Sequence, residues 1–170
     1  MNFGKIGKII LLLTTAIVLL AFFAKALSHK PMAPAVSFTS IKGEKIPLDS
    51  LRGKVVLVNF WATSCPGCIT EMPQLVSTHE KYHAQGYETI AVAMSYDPPN
   101  YVLTFTEKNA LPFVVSLDLN GEIAQAFGNV KLTPTSFLID KQGNIIQQTV
   151  GELDFAKLHI LIEEKLKEAL

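Results

Sequence analysis

Cys65 and Cys68 are the two cysteines of a 170-residue chain, and the run Cys65-Pro66-Gly67-Cys68 carries its clearest chemistry. A bridge between them closes only a tiny loop and adds little chain-entropy stabilisation, so the pair points to reaction rather than stapling. It directly follows an apolar run and opens a helical segment. In that setting Cys65 takes the N-cap and Pro66 the first helical position, where a missing N–H costs nothing. Cys68 falls one turn in. First-turn N–H groups and the helix dipole favour an anion at the Cys65 sulfur. In such motifs these effects lower a thiol from about 8.5 towards or below about 7. Cys65 is therefore expected to attack, and Cys68 to resolve the mixed disulfide. Three other uses of the pair stay open at this point. A structural zinc site needs four ligands, and the chain has no third cysteine to offer. An inert disulfide is the second, and copper delivery by two thiolates and a histidine is the third.

A second motif, His79-Glu80-Lys81-Tyr82-His83, is a literal H-E-x-x-H. On a helix it places two imidazoles on one side, with Glu80 as a potential general base. The same helix presents Ile69, Met72, Val76 and Tyr82 for packing, and no third ligand stands out. The expectation is two helix-surface histidines and no metal. His29 and His159 carry no motif.

Those residues need elements to position them. The run 55–60 (VVLVNF) is nearly all apolar, as in a strand covered on both faces, and 89–94 (TIAVAM) is a second. Segment 65–85 reads as helix ended by Gly86. Helices are expected over 100–109 and 121–127, with a short strand over 113–117 between them. Strands 135–140 and 144–150 are joined by a turn at Lys141-Gln142-Gly143. Residues 154–169 form an amphipathic closing helix, with Phe155, Leu158, Ile162, Leu166 and Ala169 at three-to-four spacing. A short hairpin over 36–38 and 45–48 precedes all of these. Strand–helix alternation followed by a hairpin and a helix implies an α/β fold with a mixed central sheet and helices on both faces.

The N-terminal part has a different character. Residues 9–24 are 16 uncharged residues between Lys8 and Lys25. As a helix they span about 24 Å, short of a bilayer core of about 30 Å by a margin that snorkelling lysines can bridge. Lys5 and Lys8 ahead of the run predict a cytoplasmic N-terminus and an exported remainder. The expectation is a signal anchor over 1–27. A cleaved signal peptide is the alternative, since Ala24-Lys25-Ala26 fits the A-x-A pattern. A Pro-containing tether over 28–35 and one domain over 36–170 follow. The whole chain is neutral, with 15 basic and 15 acidic residues, and apolar residues make up 49%, which excludes a disordered chain. From Ser28 onward acids outnumber bases, so a nucleic-acid partner is not expected.

The run Asn59-Phe60-Trp61-Ala62-Thr63-Ser64-Cys65-Pro66-Gly67-Cys68, followed by Glu71-Met72-Pro73, resembles the active-site segment of thioredoxin-fold proteins. It is most similar to the TlpA/ResA branch of membrane-tethered thiol–disulfide oxidoreductases. Thr133-Pro134-Thr135 and the following Ser136-Phe137-Leu138-Ile139-Asp140 resemble that family's cis-proline loop and its next strand. The match runs over about 36–166. There are departures: Ser64 precedes the first cysteine where many relatives have tryptophan, Pro-Gly separates the cysteines, and Asn59 stands where cytoplasmic thioredoxins carry a buried aspartate.

The resemblance implies a thioredoxin fold with an N-terminal β-hairpin extension, no cofactor, and a redox-active Cys65–Cys68 disulfide. It implies that Glu71 handles the Cys68 proton, against the plainer reading of a solvated helix acid. It implies that Thr133 and Pro134 hold a client strand, against a plain turn proline, and that Trp61, shielding the disulfide, joins them in the client-binding set, against ordinary core packing. The implied partners are disulfide-containing client proteins, a membrane thiol–disulfide electron donor, and the bacterial inner membrane through the N-terminal helix, with the domain in the periplasm. The implied direction is reduction, in cytochrome c maturation or for another metalloprotein. Pro-Thr-Ser at the proline loop, where the CcmG-like branch often has Pro-Glu-Thr, weakens a dedicated haem role. The rival readings are a disulfide-donating oxidant, a thiol peroxidase of the same superfamily, and a copper-binding module.

Overall fold

The computed structural model describes residues 11–17, 19–20 and 31–168, in two compact units, 1–30 and 31–170. In the first unit, residues 11–17 and 19–20 are helical with exposed side chains. Among the described residues no helix is long and apolar enough to cross a membrane. Lys5, Lys8, Lys25, the Ala24-Lys25-Ala26 site and the rest of the expected anchor lie outside the described residues, as do residues 28–30 of the expected tether. The remainder of that tether, 31–35, is docked on the domain. Ala33 N–H donates to the Gly143 carbonyl at 2.9 Å and Ile145 N–H to the Pro31 carbonyl at 2.8 Å. Proline carbonyls still accept although the ring removes the donor, so such a segment can line a strand edge.

The second unit is built on a five-stranded sheet of order β5-β4-β3-β6-β7. Its strands are β3 (Val55–Trp61), β4 (Tyr87–Ala93), β5 (Val114–Leu117), β6 (Thr135–Ile139) and β7 (Ile145–Val150). β3, β4 and β5 run parallel, and β6 and β7 are antiparallel additions. A small hairpin, β1 (Ser37–Thr39) with β2 (Lys45–Pro47), precedes them. The helices are α1 (Pro66–Tyr82), α2 (Pro99–Lys108), α3 (Glu122–Ala126) and α4 (Phe155–Lys167). The expected mixed sheet is thus present, with β3 central and every residue of β3 and β4 buried.

Strand alternation sorts the core into two layers. Val55, Leu57 and Trp61 of β3 meet Leu75 of α1, Val102 of α2, and Leu158 and Ile162 of α4. Val56, Val58 and Phe60 meet Phe38 of the hairpin, Ile123 and Ala124 of α3, Phe127 and Phe137. Asn59 has the parity of the first set, so this buried amide is aimed beneath α1. One difference concerns the end of α1. The helix stops at Tyr82, and His83–Gln85 form a separate 3-10 turn closed by Gly86 at φ 97°. That left-handed residue releases the chain into β4, as glycine at a helix end commonly does.

Phe60 is fully buried, with its ring 5.4 Å from Phe127 and 5.9 Å from Phe137, both edge-on. Phe60→Ala is expected to cost about 3–5 kcal/mol. Urea denaturation of the oxidised protein checks this; a loss under about 1 kcal/mol would mean that the second layer is not rigidly packed.

Candidate redox-active site

β3 ends at Trp61, and the Cys65 N–H turns back to the Ala62 carbonyl at 3.1 Å. Cys65 takes the N-cap of α1 with extended backbone, and Pro66 opens the helix. The Cys68 N–H donates to the Cys65 sulfur at 3.2 Å. The two cysteines are joined as a disulfide, with their Cα atoms 5.3 Å apart. Cys68 is fully buried, whereas Cys65 is partly exposed. Cys65, the more accessible of the two, thus sits at the positive end of the helix dipole, the setting that favours a thiolate.

Two contacts bring other loops to this end of the sheet. Asp97, buried after β4, accepts from the Thr63 N–H at 2.6 Å and from the Thr63 hydroxyl at 2.5 Å. Hydrogen bonds to a carboxylate are the stronger kind, so the segment leading into Cys65 is pinned to the β4–α2 loop. The neighbouring Tyr96 hydroxyl lies 3.2 Å from the Thr133 hydroxyl. Thr133–Pro134 is a cis peptide. Register supplies the rest: Phe60 pairs with Thr135, so Pro134 continues the β6 line beside Trp61. The Pro134 carbonyl is taken by the Gly151 N–H at 2.8 Å. Thr133 is half-buried and lies just outside the β6 ladder.

Glu71 is 3% exposed, so the solvated-acid reading is wrong for it. One carboxyl oxygen accepts from the Asn59 amide at 3.0 Å and the other from the Leu153 N–H at 3.2 Å. The Asn59 amide also donates to the Ser136 hydroxyl at 2.9 Å. Burial raises the carboxyl above its ordinary value; the Leu153 and Asn59 hydrogen bonds oppose the rise and the charge of Glu152 adds to it. Glu152 also covers the active-site turn, for a Cβ added to Gly67 would lie 2.9 Å from its carboxyl oxygen. Neither Glu152 nor the Leu153 N–H was foreseeable from spacing, since both come from the β7–α4 loop. The one signal for Asn59 was a lone amide inside an apolar strand.

Trp61 is fully buried, packs in the layer that contains Cys68, and lies 5.2 Å from the Phe105 ring. Its side chain points with the odd-numbered face of β3 under the helices, so it backs the disulfide from within. One expectation needs correction: the paired histidines are not both on the surface. His79 is 4% exposed and held below its ordinary pKa by burial, while His83 is exposed. The reason is that His79 falls on the buried side of α1 with Leu75 and Tyr82.

A disulfide at the start of the helix after a central strand, beside a cis-proline loop, defines a thiol–disulfide oxidoreductase of the thioredoxin fold. The redoxin family model matches residues 28–160. The chain is 40% identical over 136 residues to the thiol-disulfide oxidoreductase ResA of Bacillus thuringiensis subsp. konkukian, covering 80% of this chain and 75% of that protein. It is 35% identical over 132 residues to ResA of Halalkalibacterium halodurans, covering 76% and 74%. A thiol:disulfide interchange protein of the thioredoxin family from Chlorobium tepidum superposes with a TM-score of 0.75 at 27% identity, over 82% of this chain and 98% of that one. The chain belongs to the redoxin family, among its TlpA/ResA-like thiol–disulfide oxidoreductases.

The raised Glu71 carboxyl predicts a sign for the pH dependence of stability. Between the ordinary carboxyl value and the raised one, the unfolded chain has lost a proton that the folded chain keeps, so stability falls as pH rises through that window. Glu71→Gln removes this slope. The amide oxygen of that variant can keep the Leu153 N–H hydrogen bond. Urea denaturation of both oxidised proteins from pH 4 to 8 is expected to show the variant gaining on the parent as pH rises. A constant difference would mean that Glu71 ionises normally.

Proposed function

We propose that the chain reduces disulfides in exported proteins, with Cys65 attacking and Cys68 resolving. The observation that carries the assignment is the asymmetry of the pair: one sulfur is at the N-cap and partly exposed, the other is sealed beneath it. The Cys65 thiolate attacks one sulfur of a client disulfide, breaking that bond and releasing a client thiolate. Cys68 gives its proton to the Glu71 carboxylate and attacks the Cys65 sulfur, releasing the second client thiolate. Two electrons pass to the client, and the Cys65–Cys68 disulfide is left. A carboxylate of ordinary basicity is a poor base for a thiol near 8.5, and raising it narrows the gap. Here Glu71 sits three residues after Cys68 on the same helix, within reach of one turn.

The reducing direction is supported by the ResA-like resemblance, and the extracytoplasmic location by Lys5 and Lys8 ahead of an apolar run. In this reading the first 27 residues anchor the chain in the inner membrane and the domain faces the periplasm. A membrane dithiol donor re-reduces the domain, and the clients are proteins whose thiols must be free, including those that take haem or metal.

Cys65→Ala is expected to reduce exchange with a disulfide substrate to the uncatalysed background. Cys68→Ser, expressed in cells, is expected to hold a client on Cys65 as a mixed disulfide that dithiothreitol releases. Equilibration of the parent protein with glutathione decides the direction. A reductant is expected nearer about −270 mV than about −120 mV, and a value at the latter end would make the protein a disulfide donor. A reporter active only outside the cytoplasm, fused after Leu170, is expected to be active.

A further inference from the structure

The far end of α1 holds a cluster that thiol exchange does not use. His79 and His83, four residues apart, stack their rings with centroids 4.5 Å apart. The turn at Gly86 brings β4 back beside them, and Glu88 on that strand supplies the third ligand that the motif alone lacked. One Glu88 oxygen lies 3.9 Å from His79 Nδ1 and the other 3.5 Å from His83 Nδ1. One donor atom from each of the three residues falls within 4.8 Å of the others.

These separations suit an ion. A tetrahedral zinc site with bonds of about 2.0–2.1 Å has ligand atoms about 3.3 Å apart. The two imidazole–carboxylate separations exceed that spacing by about 0.2 and 0.6 Å, and the three donor atoms stay within 4.8 Å of one another, so modest side-chain movement closes them on an ion. A second observation points the same way: His79 is 4% exposed, and its Nδ1 is buried with no hydrogen-bond partner. Buried polar atoms are nearly always satisfied, so an orphan facing a carboxylate and a second imidazole calls for a ligand. The only cation now on Glu88 besides the histidines, among the described residues, is the Lys54 ammonium at 3.2 Å. Lys54 is 41% exposed on a flexible stem and can withdraw to water. A cavity of about 300 Å³ adjoins the cluster, lined also by Ile41, Thr106 and Phe113, and leaves room for a fourth ligand such as water.

We propose that His79, His83 and Glu88 bind a divalent first-row transition ion of the zinc class, with a fourth position open to the adjoining cavity. Two imidazoles and one carboxylate favour zinc over magnesium or calcium, which take oxygen donors. Glu80, the base of a peptidase reading, is exposed and is not one of the three. The site is also separate from the disulfide, since the eleven residues from Cys68 to His79 put it about 16 Å along the helix.

The test is a zinc titration by calorimetry on the oxidised full-length chain, in which both cysteines are bonded and cannot ligate. Binding of one zinc per chain is expected, with a rise in Tm. His83→Ala and Glu88→Gln are each expected to weaken it about 100-fold or more, the upper end of what even outer-shell changes cost metal sites. His83 is exposed, so its variant should fold, and an unchanged thiol-exchange rate verifies this. No saturable binding overturns the proposal. So does equal affinity in the parent and both variants, which would assign the zinc to His29, His159 or the N-terminus.

Discussion

A carboxylic acid held out of water by two N–H donors governs the architecture of the redox end. The Glu71 carboxyl is gripped from below by the Asn59 amide of β3 and from the side by the Leu153 backbone. Asn59 is shared with Ser136 of β6. One buried side chain therefore joins α1, the two central strands and the β7–α4 loop. Two such hydrogen bonds favour the anion, and burial disfavours it. Burial is the larger effect, so the carboxyl is easier to protonate than one in water. A fully hydrogen-bonded carboxylate would be too weak a base to take a thiol proton. An unsupported buried one would stay protonated. The intermediate case is what the proposed transfer of the Cys68 proton needs.

The rest of the site is arranged by register and by one further acid. Antiparallel pairing of β6 on β3 carries the chain from Pro134 onto the strand that ends in the active-site loop. Asp97 ties Thr63 down, and Tyr96 touches Thr133. The loops before the disulfide and before β6 are thereby coupled through the β4–α2 connection. Rigid strands supply the coarse placement, and short polar contacts between loops supply the fine placement. That division keeps the sulfurs in fixed geometry while the loops around them are tied by few contacts.

What could be read in advance follows the same division. The N-cap place of Cys65 was legible because Pro66 marks the first helical residue and an all-apolar strand precedes it. The closing helix was legible from the periodicity of Phe155, Leu158 and Ile162. The state of Glu71 was not, because its spacing from Cys68 suits a solvated acid equally well; only the return of Leu153 decides the matter. Motif resemblance marks the nearness of Trp61 to the disulfide without marking the strand parity that buries it. His79 was misread for a related reason: spacing put both histidines on one side of α1, but the side that faces the sheet is chosen by long-range contacts with β4. Pro31 and Pro34 suggested a free tether, yet carbonyls at such positions can still pair with an edge.

The two ends of α1 carry opposite electrostatic logic. A helix presents partial positive charge at its N-terminus and partial negative charge at its C-terminus. The sulfur that must become an anion sits at the first end, where its neighbour's N–H already points at it. His79 and His83 sit at the second end, where the last carbonyls favour a cation, and Glu88 brings a full negative charge from β4 to meet it. An ion bound there would add its charge where the dipole is negative and would join the end of α1 to the strand beside it. The interval that separates it from Cys65 keeps it from drawing the thiolate as a ligand. One helix thus offers a place for an anion and a place for a cation, each made by its own end and each completed by a residue from another part of the sheet.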